Sequence, residues 1–396
     1  MHEALDLIHV CYNFTMVSLV IDIQSGLVRG ALVSFEKDDI PNIIHLVSRA
    51  IVHKGHPKGD FLTEAMFSAV HEVSSQVVRE GISRMKLSLA SIASVHYILS
   101  SPWIISQAKT INIQYDVDTE ITESMINKIL DEERVSLLSK FKKEDLSQKY
   151  DFDLTFIEQK VFDVRLNGYS VFKYEGKKTK RFDISFAVTL SSQKILDKIH
   201  EAVSRTVHIK EKYHHSGLIL QYIALRSLID KQEYMSVHVH GELTDIIVIK
   251  KGLSSSIASF PHGISTFFRK MSTLLRNTIE TSSSMVSMYV DNHIHDIEKN
   301  RIKKVLAPLI KDWQSQLLKS FTANQNNKII SSKDIASSDS IPNFAPKLVY
   351  LSVCSSSNKY YKIFKEALEE MGFEVVTFDK SLMKIYMTAL SQLSNI

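Results

Sequence analysis

The chain has 396 residues, 44% hydrophobic and 23% charged, with a formal net charge of +4, which suits a globular protein with roughly two to four domains' worth of core and is too mild a surplus to argue for nucleic acid. Two cysteines, Cys11 and Cys354, exclude a disulfide framework and make a reducing cytosol the expected compartment. No apolar run reaches the roughly 18 residues of a spanning helix, and the start MHEALDLIHVCYNF lacks a basic stretch before a long apolar one, so neither a membrane span nor a signal peptide is expected.

In chain order, VSLVIDI and GALVSF read as two strands around the turn Gln24-Ser25-Gly26, with Asp22 ending the first. From Phe61 to Gly81, Leu62, Ala65, Met66, Ala69, Val73 and Val77 recur at helical spacing. Val95 to Ile113 reads as a strand pair around Ser100-Ser101-Pro102-Trp103, where Pro102 argues against a central strand and Trp103 is placed to anchor a neighbouring block. A helix follows from Ile121 to about Phe141, with Thr122 as its N-cap.

Leu154 to Leu166 is a strand, Asn167-Gly168 is a strong hairpin signal, and Tyr169 to Tyr174 and Phe182 to Leu190 are two more strands around EGKKTKR. A helix from Ser192 puts Ile195, Ile199, Ala202 and Val203 on one face. This helix, three strands and helix read as a small inserted module. Its basic residues Lys177, Lys178, Lys180 and Arg181 sit at a hairpin tip, where they read either as a solvated turn or as an interaction surface.

Val237 to Val239, Asp245 to Ile249 and Ser254 to Phe260 form a strand meander, broken by Pro261 and Gly263 before a helix from Ile264. Asp296 to Phe321 is a long amphipathic helix, explained by core packing. Thr322 to Pro346 is rich in Asn, Ser and Asp and reads as a linker. Lys347 to Val353 is a buried strand, Tyr360 to Met371 a helix capped by Gly372, and FEVVTF a last strand.

The histidine pairs lack a completing Cys or carboxylate cluster for zinc. His238 and His240, two apart on a strand and so on one side, are expected in a polar network. His53 and His56, His214 and His215, and His293 and His295 are expected at the surface.

Three segments line up in order with the nucleotide motifs of the actin/Hsp70/sugar-kinase fold. The first is IDIQSGLVRGALV, where Asp22, Ser25 and Gly30 match the pattern, Arg29 stands where Lys is common and Gln24 replaces a glycine. The second is VHVHGELTDIIVIKKG, where Gly241, Thr244 and Asp245 match, His238 replaces an acid, and His240 and Glu242 replace glycines. Pro261-His262-Gly263 resembles the Pro-x-Gly before the next helix. The third, LVYLSVCSSSNKYYKIFKEAL, has Val353-Cys354-Ser355 in place of a glycine turn at the adenosine. The chain thus resembles the FtsA and PilM branch of the actin-like ATPases, and its block from about 121 to 206 resembles their SHS2 insertion.

That resemblance implies an α/β fold of two actin-like halves around a cleft. The first half would be residues 1–118 with a return segment at 207–233, the module 119–206, and the second half 234–396 with a polar linker at 322–346. It implies a bacterial cytoplasmic scaffold at the inner face of the cell membrane, serving division or type IV pilus assembly. A protein partner would bind there, with no nucleic acid, and the resemblance leaves room for an oligomer. Phosphate cradles need glycine because backbone N–H groups converge closely, and these turns have lost most of theirs. The implied site (Asp22, Ser25, Gly26, Arg29, Gly241, Thr244, Asp245, Gly263 and Ser355) is therefore that of a pseudo-ATPase, with no catalytic residue, no metal, and ATP and magnesium held weakly or not at all. The alternative is an active ATPase or sugar-kinase relative using Asp22 and Asp245 with magnesium.

Overall fold

The computed structural model describes residues 17–35, 40–51, 59–85, 88–143, 153–250, 253–323, 345–354, 358–378 and 382–394. The first sheet is built from β1 (Val17–Ile23), β2 (Leu27–Ser34), β3 (Asn42–Ala50), β4 (Ile92–Leu99) and β9 (Glu211–Ser216), in the order β3-β2-β1-β4-β9. The second contains β10 (Tyr234–Val239), β11 (Thr244–Lys250), β12 (Leu253–Phe260), β13 (Leu348–Val353) and β14 (Glu374–Thr377), in the order β12-β11-β10-β13-β14. Each sheet is an antiparallel three-strand meander followed by two parallel strands, so the two lobes repeat one topology.

Burial explains the strand composition. Every residue of β1 and of β10 is buried, as expected for central strands covered on both faces, which need apolar runs rather than alternation. In the first lobe one face is covered by α1 (Gly59–Met85) and α3 (Gln193–Ser204), through Met66, Val70, Val73, Leu196, Ile199 and Val203. Gly30 on β2 lets α1 approach, because a Cβ there would lie 2.5 Å from Val73 Cγ1. In the second lobe α5 (Ile264–Leu275), α6 (Ile279–Val290), α7 (Asp296–Ala323) and α8 (Tyr361–Glu370) enclose a core around the fully buried Trp313.

Two helices absent from the sequence reading join the lobes. One, α4 (Gly217–Leu228), has Gly217 to Tyr222, Ala224 and Leu225 all buried. A helix apolar all round must be covered on every side, and α4 is: Leu220 and Ala224 pack on the first sheet, and Leu218, Tyr222 and Leu225 meet Tyr234, Ile247 and Ile249 of the second. The other, α9 (Leu382–Ser394), returns the chain end to the first lobe, packing Met383, Tyr386 and Leu390 with Val20, Val33 and Ile98.

The third sheet is the inserted module, β5 (Ile104–Glu120), β6 (Leu154–Leu166), β7 (Tyr169–Ser170) and β8 (Lys178–Ser192), in the order β5-β8-β6-β7 and covered by α2 (Glu123–Lys143). Thr122 caps α2, its Oγ1 accepting from Met125 N at 3.3 Å. Asn167 and Gly168 take positive φ of 51° and 86°, the conformation a tight two-residue hairpin needs. The expected module boundaries change at both ends. β5 belongs to its sheet, pairing with β8 from Ile104↔Ser191 to Glu120↔Lys178. The closing helix α3 instead buries its apolar face in the first lobe, where Leu196, Ile199, Ala202 and Val203 share one core with Met66, Val70 and Val73 of α1. The expected strand over Tyr169 to Tyr174 is only two residues long. Trp103 is buried where the module joins the lobe, its carbonyl accepting from Ser191 Oγ at 2.8 Å. The long helix runs on to Ala323, and most of the expected linker lies outside the described residues.

His214 and His215 are not surface residues. β9 runs beside β4, so one histidine enters each face of that edge. His214 Nε2 meets His200 Nε2 at 3.2 Å, and His215 Nε2 meets His96 Nδ1 at 3.1 Å. His293 and His295 lie in the connection between α6 and α7, and His53 and His56 lie outside the described residues.

Candidate functional site

The cleft site is assembled from the ends of β1 and β10, the central strands of the two lobes. The first turn, residues 24–26, is closed by Gln24 N donating to Leu27 O at 3.0 Å. The second, residues 240–243, is closed by His240 N donating to Leu243 O at 2.8 Å. The two turns touch. A Cβ on Gly241 would lie 2.4 Å from Gly26 Cα, and one on Gly26 would lie 2.7 Å from Gly241 Cα. Here the surviving glycines let two backbones meet.

Several backbone donors of this region are spent inside the protein. Glu242 N donates to Ser25 Oγ at 2.9 Å, across the lobes. At the start of α5, Ile264 N donates to His240 O at 2.9 Å and Ser265 N to Gly241 O at 2.7 Å. Carbonyl oxygens thus satisfy a helix N-terminus that could otherwise hold an anion. Gly263 is required here, since a Cβ would fall 2.4 Å from Gly241 O. Cys354 N is held by Val239 O at 2.7 Å.

The side chains form a buried relay across both lobes. Asp22 Oδ2 accepts from Arg29 Nη1 at 3.0 Å and from Gln24 Nε2 at 2.8 Å. Gln24 Oε1 lies 3.2 Å from His238 Nε2, His238 Nδ1 meets Ser352 Oγ, and Gln221 Nε2 reaches that hydroxyl at 3.3 Å. One direction of donation satisfies the chain: Gln221 to Ser352, Ser352 to His238 Nδ1, His238 Nε2–H to Gln24, Gln24 to Asp22. It requires a neutral imidazole with its proton on Nε2. Burial, with His240 and Arg29 nearby, holds His238 well below the ordinary histidine range, in agreement. Burial also raises the Asp22 carboxyl, against the opposing pull of Arg29 and Gln24.

Both oxygens of Asp245 are engaged as well. Its Oδ2 accepts from His240 Nε2 at 2.8 Å and its Oδ1 from Ser259 Oγ at 2.5 Å. Thr244 Oγ1 donates to His262 O at 2.6 Å and accepts from Trp313 Nε1 at 3.0 Å. Glu242 is gripped by Arg269, with Nη1 to Oε1 at 2.7 Å and Nη2 to Oε2 at 2.5 Å, the two-pronged geometry that suits a guanidinium. Among the described residues no group of three or more His, Cys, Asp or Glu is placed to hold a metal ion.

Asp22, Ser25, Gly26, Arg29, Gly241, Thr244, Asp245 and Gly263 therefore come together at one place, and Ser355 lies outside the described residues. Lys177, Lys178, Lys180 and Arg181 do not join them. They are exposed at the far end of the module, a fifteen-residue strand (roughly 45 Å) from its attachment. Lys178, Lys180 and Arg181 lie on β8 rather than in the turn. Lys178 pairs in register with Glu120, and Arg181 Nε reaches Asp183 at 3.2 Å, so the patch is partly neutralised. Sequence reasoning missed Gln221, Ser352 and Arg269. Only Gln221 carried a signal, as the lone amide in the apolar run GLILQYIAL.

Beside the closed turns lies a cavity of about 390 Å³, bounded by Gly26 and Ile51 of the first lobe and by Phe268, Tyr360 and Cys354 of the second. It adjoins the segment where the sequence resemblance puts the adenosine turn.

No protein-family model matches the chain, and no curated protein matches it by sequence. Solved structures do match. One described as the PilM-PilN type IV pilus biogenesis complex superposes with a TM-score of 0.60 at 12% identity, over 96% of this chain and 98% of that one. The ethanolamine utilization protein EutJ from Carboxydothermus hydrogenoformans gives 0.44 at 11% identity, over 94% and 89%. A Bacteroides thetaiotaomicron protein of actin-like ATPase fold gives 0.43 at 11% identity, over 96% of each chain. With its duplicated lobes, its cleft between the ends of β1 and β10 and its inserted third sheet, this chain has the actin-like ATPase fold in the form seen in PilM.

Proposed function

We propose that the chain is a PilM-like scaffold that binds a protein partner at the cytoplasmic face of a membrane, in a pilus-type assembly, and that it neither holds ATP-magnesium firmly nor hydrolyses it. The assembly context rests on the likeness to a protein whose structure is that of a pilus biogenesis complex. Further support is that no helix among the described residues is long and apolar enough to cross a membrane, which suits attachment through a partner.

The closed turns carry the nucleotide half of the reading. A phosphate cradle needs converging free N–H groups, and here the amides of Glu242, Ile264, Ser265, His240 and Cys354 are taken by Ser25 Oγ and by the carbonyls of His240, Gly241, Leu243 and Val239. Magnesium needs several oxygen ligands. Each oxygen of Asp245 already accepts a hydrogen bond, and Arg29 already puts a cation against Asp22 Oδ2, which leaves Asp22 Oδ1 as the carboxylate oxygen of this pair without a partner. Glu242 keeps both prongs of Arg269 engaged, so that guanidinium is not free to hold a phosphate. The residues present do not fit the nucleotide and its metal.

Calorimetric titration of the full chain with ATP and magnesium tests this. The expected result is no heat of binding at tens of micromolar protein. A dissociation constant in the low micromolar range or below overturns it.

A further inference from the structure

We propose that the outward face of α7 is a docking surface for an anionic lipid bilayer, its cations lying against the headgroups and Ile297 entering the interface. This deepens the scaffold reading and rests on its placement of the chain at a membrane face.

The helix has two faces. Ile302, Leu306, Leu309, Trp313 and Leu317 are buried in the core of the second lobe. On the other side Ile297, Arg301, Lys304, Pro308, Lys311 and Ser315 recur at steps of four and three residues and are all exposed, and Lys319 extends the row by one more turn. At 1.5 Å per residue, Arg301 and Lys319 stand roughly 27 Å apart, so the cations form a straight line rather than a pocket.

The charge of this helix is one-sided. From Lys299 to Ala323 it carries six cations and one acid. That acid, Asp312, already holds Lys270 Nζ and His262 Nε2, each at 2.9 Å. The acids Asp296 and Glu298 are confined to the first turn, where Glu298 takes Arg301 at 3.4 Å. Lys303, Lys304 and Lys311 have no ion-pair partner among the described residues. The neighbouring α8, joined to α7 by Gln314 Nε2 donating to Ala367 O, sets Lys362 and Lys365 against Glu366, Glu369 and Glu370, so the surplus belongs to α7.

The side-chain types select lipid over protein. Lysine is a point charge on a flexible stem, without the fixed fork that grips one carboxylate, and mobile headgroups ask for no fixed fork. Ile297, 85% exposed, is the one large apolar side chain exposed along α7 among the described residues. A protein interface is anchored by a cluster of such groups. One apolar residue beside a basic row suits shallow insertion at a membrane surface, a weak contact that adds to attachment through a partner.

Co-sedimentation of the full chain with phosphatidylcholine vesicles, with and without about one-third phosphatidylglycerol, tests this. Binding is expected only to the anionic vesicles, and is expected to vanish when salt rises from about 0.05 M to about 0.3 M. Each cation near such a surface is worth roughly fivefold in partitioning, so the triple variant Lys303→Gln, Lys304→Gln, Lys311→Gln is expected to bind about 100-fold more weakly with its melting curve unchanged. Ile297→Trp is expected to shift its fluorescence to the blue on the anionic vesicles. No binding to those vesicles, undiminished binding by the triple variant, or tighter binding to a short DNA duplex overturns the surface, and an unshifted Ile297→Trp spectrum overturns the insertion. The partner-bound scaffold survives each of these results, since its own failure would show in the nucleotide titration.

Discussion

Acid should loosen the edge of the first lobe well before carboxylates begin to titrate, and His96 and His214 are the reason. Burial, with His215 beside it, holds His96 down at about 3; burial, with His200 and His215 nearby, holds His214 at about 4. Both are neutral in the native state at any ordinary pH. An unfolded histidine titrates near 6.5. Below that value the unfolded chain takes up protons that the native chain cannot, so stability is intact above pH 6.5 and falls until the pH reaches the folded values. At pH 5 the loss is about 2 kcal/mol for each such group, or about 3–4 kcal/mol for the two once the half-buried position of His214 is allowed for. Against a typical total of 5–15 kcal/mol that is a large fraction. The neighbours do not cancel it: Glu158 stands 3.9 Å from His215, and Lys212 adds a like charge near His200 and His214. The assay is urea denaturation at pH 7.5, 6.5, 5.5 and 5.0, for the wild type and for the double variant His96→Gln, His214→Gln, which keeps hydrogen-bonding capacity and cannot titrate. The wild type is expected to lose about 3–4 kcal/mol more than the variant between pH 7.5 and 5.0. Equal losses in the two proteins would refute the assignment.

Gly241→Ala is expected to cost about 2 kcal/mol or more in urea denaturation, because its Cβ would lie 2.4 Å from the Gly26 backbone, and backbone yields less readily than a flexible side chain; a change under 0.5 kcal/mol would mean that the turns do not touch. Residues 104–192 should fold as an isolated piece while residues 121–206 should not, since the module core from Ile111 to Leu190 needs β5 and makes no use of α3. Amide exchange on the two fragments decides the matter, and protected strand amides in the shorter one would count against the boundary.

Much of this protein is local, and what is local was legible in the sequence. Leu154–Leu166 reads as a strand because β-branched and aromatic residues such as Thr155, Phe156, Ile157, Val161, Phe162 and Val164 favour extended backbone, and Asn167-Gly168 turns because those two residues accept positive φ. The helix of Ile264 follows Pro-x-Gly, and Gly372, at φ 89°, ends α8. The order of the three turn segments carried the fold, since the topology repeats whatever the turns contain. The sequence could also show that glycines were missing from those turns. It could not show what replaces a phosphate there. Gly26 meets Gly241 across 215 positions of chain, and the relay from Gln221 to Asp22 draws on β1, β10, β13 and α4. Pairings at such separations leave no periodicity to read. Nor does any local pattern tell α3 to leave the module for the first lobe, or turn His214 and His215 inward. An amphipathic face records that something covers it, and only the assembled lobes decide what does.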